Sequence, residues 1–297
     1  MIRLPFLFLT LTCGYLMAHA TSPTAEWQSV SWLGEKALVS VSLGWKAIVS
    51  LDRGRLMYFG PADREGNFLL APPTRANPDI WGGHRVWLGP QPAWSKIWPP
   101  PKEWEVSGPE SFSTTGGTLR LVMADAGDGW PRLTRTYHWE GAGLVCGVEL
   151  SGGTRQAQII QIFQVPVATV VTVQARPAKG FPAGYVQLPS AAGRYAAEFP
   201  PPPQVTRAVD DLTLRHTNTI VKLGFRPQPL TGCAGDLSLT VARGVQTGKV
   251  VAEPDQGFFT QVYLGGHEAL IEMEQLSPLF AAGEPASFAV VLQGASR

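Results

Sequence analysis

The sequence predicts an all-β fold, a large antiparallel sandwich. Glycine (32) and proline (26) are scattered so evenly that few stretches can hold an uninterrupted helix. Short runs with period-two alternation or β-branched enrichment recur between turn signals along the chain. No sequence repeat of roughly 20 to 50 residues is visible, so the strands belong to one non-repetitive body.

In chain order the expected strands are Ala37–Ser42, Lys46–Leu51, Leu119–Ala124, Arg132–Trp139, Leu144–Leu150, Ile159–Val173, Leu212–His216, Ile220–Phe225, Leu237–Ala242, Phe258–Leu264 and Ala286–Leu292. Alternation is clearest in Arg132–Trp139. Leu133, Arg135, Tyr137 and Trp139 share one face there, and Thr134, Thr136 and His138 the other. The first face reads either as a ligand wall or as part of a strand whose polar side is merely solvated.

His267–Ser277 fits a short helix by the spacing of Leu270, Met273 and Leu276. Its position just after Tyr263-Leu-Gly-Gly and its end at Pro278 favour a strand. A strand turns Glu272 and Glu274 to one side, whereas a helix splays them. A carboxyl among the apolar Ala269, Leu270, Ile271 and Met273 has its pKa raised by desolvation, which suits a general acid or base. The alternative is an edge strand with its charged side in water.

The first twenty residues read as an export signal: Arg3, then the apolar Leu4–Thr12, then Ala18-His19-Ala20, with cleavage expected after Ala20. The apolar run is about half of the roughly 20 residues a spanning helix needs, and no later segment comes closer, so no membrane span is expected after cleavage. A periplasmic or secreted sandwich over residues 21–297 is the expected product. Losing Arg3 leaves 23 of the 24 basic residues against 23 acidic ones. A neutral chain without basic runs lacks the phosphate-neutralising footprint of a nucleic-acid binder.

Cys146 and Cys233 remain after cleavage, either paired or as separate buried and loop thiols, with no histidine at ligand spacing to build a metal site. No P-loop, Gly-x-Ser-x-Gly, His-Glu-x-x-His, Cys-x-x-Cys or dinucleotide glycine motif occurs. The sequence therefore calls for no cofactor and no metal, and it is silent on oligomeric state.

All ten tryptophans lie in the first half of the mature chain, five of them in the Pro/Gly-rich stretch from Trp81 to Trp104. Indoles in such a loop either stack on sugar rings or pack the loop onto the sandwich. The same stretch holds Gly82-Gly83-His84-Arg85, where glycines permit close backbone approach and a guanidinium can hold an oxygen-rich ligand. The proline clusters Pro99–Pro101 and Pro200–Pro203 read as rigid surface loops.

Taken together, Gly54-Arg-Leu-Met-Tyr-Phe-Gly60, Gly66-Asn-Phe-Leu-Leu70, Gly82-Gly-His-Arg-Val-Trp87, Val221-Lys-Leu-Gly224 and Ile271-Glu-Met-Glu-Gln-Leu-Ser-Pro278 resemble the galactose mutarotase-like superfamily, nearest to an uncharacterised bacterial branch. The resemblance runs from about Val30 to Leu292. It implies a β-supersandwich with a concave sugar-binding face and an aldose epimerase type of reaction on a sugar or oligosaccharide. The implied base is Glu274, with Glu272 beside it and His84 or His138 as acid. Arg85, Asn67 and Lys222 would hold hydroxyls, and Trp87 and Trp98 would stack. The pattern departs at two points: His84 follows the glycine pair where the superfamily's histidine precedes it, and Gln158–Pro166 lacks a histidine expected there. A non-catalytic sugar-binding protein of the cell envelope is the alternative reading.

Overall fold

A computed structural model describes residues 25–71, 82–90, 93, 102–105, 107–179, 181–188, 200–254 and 257–296. The expected signal and its cleavage point, Trp81, Trp94, Trp98 and the loop Pro99–Pro101 lie outside them.

The described chain is almost wholly β. Its strands are β1 (Gln28–Trp32), β2 (Glu35–Ser42), β3 (Trp45–Ser50), β4 (Arg55–Pro61), β5 (His84–Gly89), β6 (Ser111–Thr115), β7 (Thr118–Val122), β8 (Arg132–Glu140), β9 (Gly143–Ser151) and β10 (Ala157–Pro166). Then come β11 (Val170–Gln174), β12 (Val186–Leu188), β13 (Val205–Ala208), β14 (Asp211–Leu214), β15 (Ile220–Phe225), β16 (Leu230–Ala234), β17 (Leu237–Thr247), β18 (Val250–Ala252), β19 (Thr260–Gly265), β20 (Leu270–Phe280) and β21 (Ala286–Ser296). One helical turn, α1 (Lys102–Glu105), interrupts them.

Every strand pairing is antiparallel. β1 to β4 form a meander; a second sheet runs β12-β15-β19-β20-β10-β5, with β18 on β20; a third runs β13-β14-β11-β16-β17-β21-β9-β8-β7-β6. One apolar core joins all three. Val86, Ile159, Leu223 and Met273 enter it from the second sheet, Leu133, Val148, Leu239 and Phe288 from the third, and Trp45, Leu56 and Phe59 from the meander. Two glutamines on the core side of the second sheet tie it to the third: Gln161 Nε2 donates to the Phe288 carbonyl at 2.9 Å and Gln275 Nε2 to that of Val241 at 3.2 Å. Buried amides cost free energy unless paired, so these bonds fix how the sheets face each other.

Several sequence expectations are corrected. Ile159–Val173 is two strands in different sheets, because Thr169 N–H closes a turn on the Pro166 carbonyl at 2.9 Å and sends β11 to the third sheet. The segment read as a loop around His84 is the fully buried β5. The late strand begins at Leu270, after a 3-10 turn over Gly266–Glu268, and runs through Pro278 to Phe280. It tolerates the proline because the β10–β20 register slips there. Ser277 Oγ accepts the Ile159 N–H at 2.8 Å, taking over a ladder bond. The Leu133, Arg135 and Tyr137 face of β8 is not a ligand wall, for all three are wholly buried between the sheets. Cys146, on β9, and Cys233, on β16, do not form a disulfide with each other.

Among the described residues no helix is long and apolar enough to cross a membrane. No group of three or more His, Cys, Asp or Glu residues there could hold a metal ion.

Candidate functional site

β20 lies inside the second sheet, flanked by β19 and β10, so its acids are not on an edge in water. Residues directly opposite in antiparallel strands share a face. Register therefore puts Arg85, Ile162, Glu274, Gln261 and Gly224 in one row across the sheet, and Gln164, Glu272, Tyr263 and Lys222 in the next, all on the side away from the third sheet. Two carboxylates, a guanidinium, an ammonium, a phenol and two amides thus converge from five strands.

The acids are deeply covered: Glu272 is 7% exposed and Glu274 1%. Each has a cation. Arg85 Nη1 lies 3.6 Å from Glu272 Oε1, and Lys222 Nζ donates to Glu274 Oε2 at 3.0 Å. Gln164 Nε2 donates to Glu272 Oε1 at 2.8 Å. Burial, with a contribution from the Glu274 carboxylate, pushes the Glu272 pKa up to about 7, against the opposing pull of Arg85, Gln164 and Lys222.

Among the described residues, Glu274 Oε1 and Gln164 Oε1 are buried acceptors on this face without a hydrogen-bond partner. A buried unpaired acceptor costs of order 1–3 kcal/mol, so two neighbouring ones favour any ligand that brings hydroxyl donors. Lys222 (side chain 23% exposed) and the partly buried Tyr263, whose hydroxyl donates to Glu268 at 2.9 Å, form the side of the cluster nearest solvent.

The other expected site residues lie elsewhere or are already engaged. His84 precedes Arg85 on β5 and so projects to the opposite face, into the core. Its ring stacks on Phe163 (centroids 4.4 Å apart, planes 4° apart), with Nδ1 3.4 Å from the Tyr137 hydroxyl. Burial, then Arg135 and Arg55, hold its pKa well below 6.5, so it is a neutral core residue and not the partner acid. His138 alternates onto the outer side of β8, where Nε2 lies 3.2 Å from Glu140. Asn67 is a structural clamp: Oδ1 accepts the N–H groups of Phe59 (3.1 Å) and Leu69 (3.0 Å), and Nδ2 donates to the Met57 carbonyl (3.0 Å). Trp87 shares a face with Arg85, whose guanidinium lies 4.8 Å from its ring centroid. The glycine pair also has a different use. Gly83, at φ +70°, sits where a Cβ would be 2.4 Å from the Leu56 carbonyl, so it permits close packing onto β4.

Sequence reasoning missed Gln164 and Tyr263. Only alternation could have found them: Gln164 shares a buried face of β10 with Ile160 and Ile162, and Tyr263 pairs with Lys222 across β15 and β19.

No family model and no curated protein sequence matches the chain. Solved structures do. A galactose mutarotase-like protein from Lactobacillus casei ATCC 334 superposes with a TM-score of 0.58 at 10% identity, over 87% of this chain and 100% of that one. A candidate aldose 1-epimerase from Escherichia coli K12 gives 0.56 at 10% identity, over 92% and 100%. A galactose mutarotase related enzyme from Lactobacillus acidophilus gives 0.54 at 8% identity, over 88% and 97%. The chain has the galactose mutarotase-like β-sandwich fold.

Proposed function

We propose that this chain binds a sugar against Glu272 and Glu274 and interconverts its anomers. The observation that carries the reading is the buried Glu274 Oε1, without a partner among the described residues, beside the Glu272 carboxyl of raised pKa. Neighbouring acids whose environments differ are suited to divide base and acid roles. The names of the fold neighbours, mutarotase and aldose 1-epimerase, support a sugar as substrate.

In this scheme Glu274 takes the proton of the anomeric hydroxyl while protonated Glu272 gives its proton to the ring oxygen. The C1–O5 bond breaks and the C1=O bond forms. Rotation about C1–C2 and closure reverse both transfers: Glu274 returns a proton to the carbonyl oxygen and Glu272 recovers one from the C5 hydroxyl. Arg85 offsets the negative charge on Glu272 after its transfer, and Lys222 and Gln164 orient the two carboxyls. We assign the reaction to a compartment outside the cytoplasm, following cleavage after Ala20; the N-terminal mass of exported protein checks this.

The test is exchange NMR or polarimetry on a panel of free aldoses. Wild type should speed anomer exchange and Glu274→Gln should slow it at least 10²-fold, the scale of one general-base contribution. Equal, negligible rates for both proteins eliminate catalysis. One observation favours the rival reading of sugar binding without turnover: neither His84 nor His138 shares the face of the two acids. Calorimetric sugar binding without accelerated exchange would select it.

A further inference from the structure

Beyond β15 on the same face lies a second feature. Strand alternation puts Lys222 and Gly224 on one side, about 7 Å apart, and Arg226 follows the last residue of the strand. Lys222 bonds Glu274. Gly224 carries the Phe258 ring: a Cβ built there would be 2.7 Å from Phe258 Cγ and 3.0 Å from Leu188 Cδ1. The ring therefore rests on bare backbone, on the side to which the acids point. It stacks on Phe181 (5.9 Å, 23°), and the Arg226 guanidinium lies 5.6 Å from the Phe181 centroid. Phe181, Phe225, Arg226, Pro227 and Phe258 line a cleft of about 310 Å³, within the range of small-molecule sites. Arg226 is exposed and has no carboxylate partner among the described residues.

We infer that this cleft holds the second ring of a saccharide whose first ring lies against Glu272 and Glu274, so that the ligand is of disaccharide length or longer. The inference rests on the sugar reading above. Gly224 pairs with Gln261, which pairs with Glu274. Two strand spacings, about 10 Å, therefore separate Gly224, on which the Phe258 ring rests, from the acid, further than one pyranose ring reaches. The lining matches a pyranose: aromatic rings for its apolar C–H face, and a guanidinium with five donors for the oxygens at its edge. Gln261 lies between Gly224 and Glu274 in the row and its Nε2 donates to the Phe258 carbonyl at 3.0 Å, so a polar side chain joins the two places.

Calorimetry on the full mature chain with glucose, galactose, maltose, cellobiose and lactose tests this. At least one disaccharide should bind ten-fold or more tightly than its component monosaccharide. Phe258→Ala should abolish that advantage and leave the monosaccharide affinity unchanged. Arg226→Met, at an exposed position, should cut the advantage several-fold and remains testable if Phe258→Ala misfolds. Gly224→Ala, which displaces the ring, should act like Phe258→Ala. Disaccharides binding no better than monosaccharides, or an advantage surviving both Phe258→Ala and Arg226→Met, overturn the subsite. In that case monosaccharide binding lost in Glu274→Gln still upholds the acid site. Failure of every sugar to bind overturns both.

Discussion

Replacing Glu272 with glutamine should flatten the pH dependence of stability on the acidic side of neutrality. In the unfolded chain this carboxyl titrates near its ordinary 4.5, and in the folded protein burial raises it to about 7. Between those values the native state holds a proton that the unfolded state has lost. Stability then falls with rising pH, by about 1.4 kcal/mol per pH unit for one proton. Across the window the loss is about 3 kcal/mol, complete once pH exceeds the folded value. Glutamine has no proton to release and keeps an oxygen for the Gln164 amide, which now donates to Glu272 at 2.8 Å. The charge opposite Arg85 is not a separate effect, because Arg85 is one of the groups that set where Glu272 titrates in the folded protein. Urea unfolding of both proteins at half-unit steps from pH 4.5 to 8 isolates the effect, since titrating groups remote from Glu272 cancel in the difference. The variant should gain on wild type by about 1 kcal/mol per unit through pH 5 to 7 and plateau above. Parallel curves would refute the claim that this carboxyl is held protonated by its surroundings.

His84 should stay neutral in the folded protein well below pH 6.5, seen as an unchanged neutral-tautomer pattern in imidazole ¹⁵N spectra at pH 5.5. Its contribution to stability is present above 6.5 and is lost as pH falls, because the unfolded chain takes up the proton first. Asn67→Ala removes three backbone hydrogen bonds and should cost about 2–3 kcal/mol in chemical unfolding, at about 1 kcal/mol per bond; calorimetric sugar affinity should not change.

Local pattern reveals much of this molecule. Period-two alternation locates β8 and β15 almost to the residue, and two acids spaced i, i+2 on a strand must share a face wherever that strand lies. Some of the strands that escape notice carry no such pattern. β6 is exposed along its whole length, β16 is interrupted by Gly232, and β5 is buried on both faces, so none alternates between apolar and polar.

Partners and orientation are another matter. Gln164 lies 108 residues from Glu272, and Lys222 lies 52 from Glu274. Pairing order, which nothing in a strand's own residues states, brings them together. His84 and Arg85 show the limit most plainly: as neighbours on a strand they point opposite ways, and only the packing of the second sheet on the third decides that the guanidinium meets the acids and the imidazole enters the core. Strand identity follows from side-chain periodicity along the chain, whereas register and facing follow from burying one shared core. The sequence alone therefore names the two acids, and only the folded sandwich selects the groups that surround them.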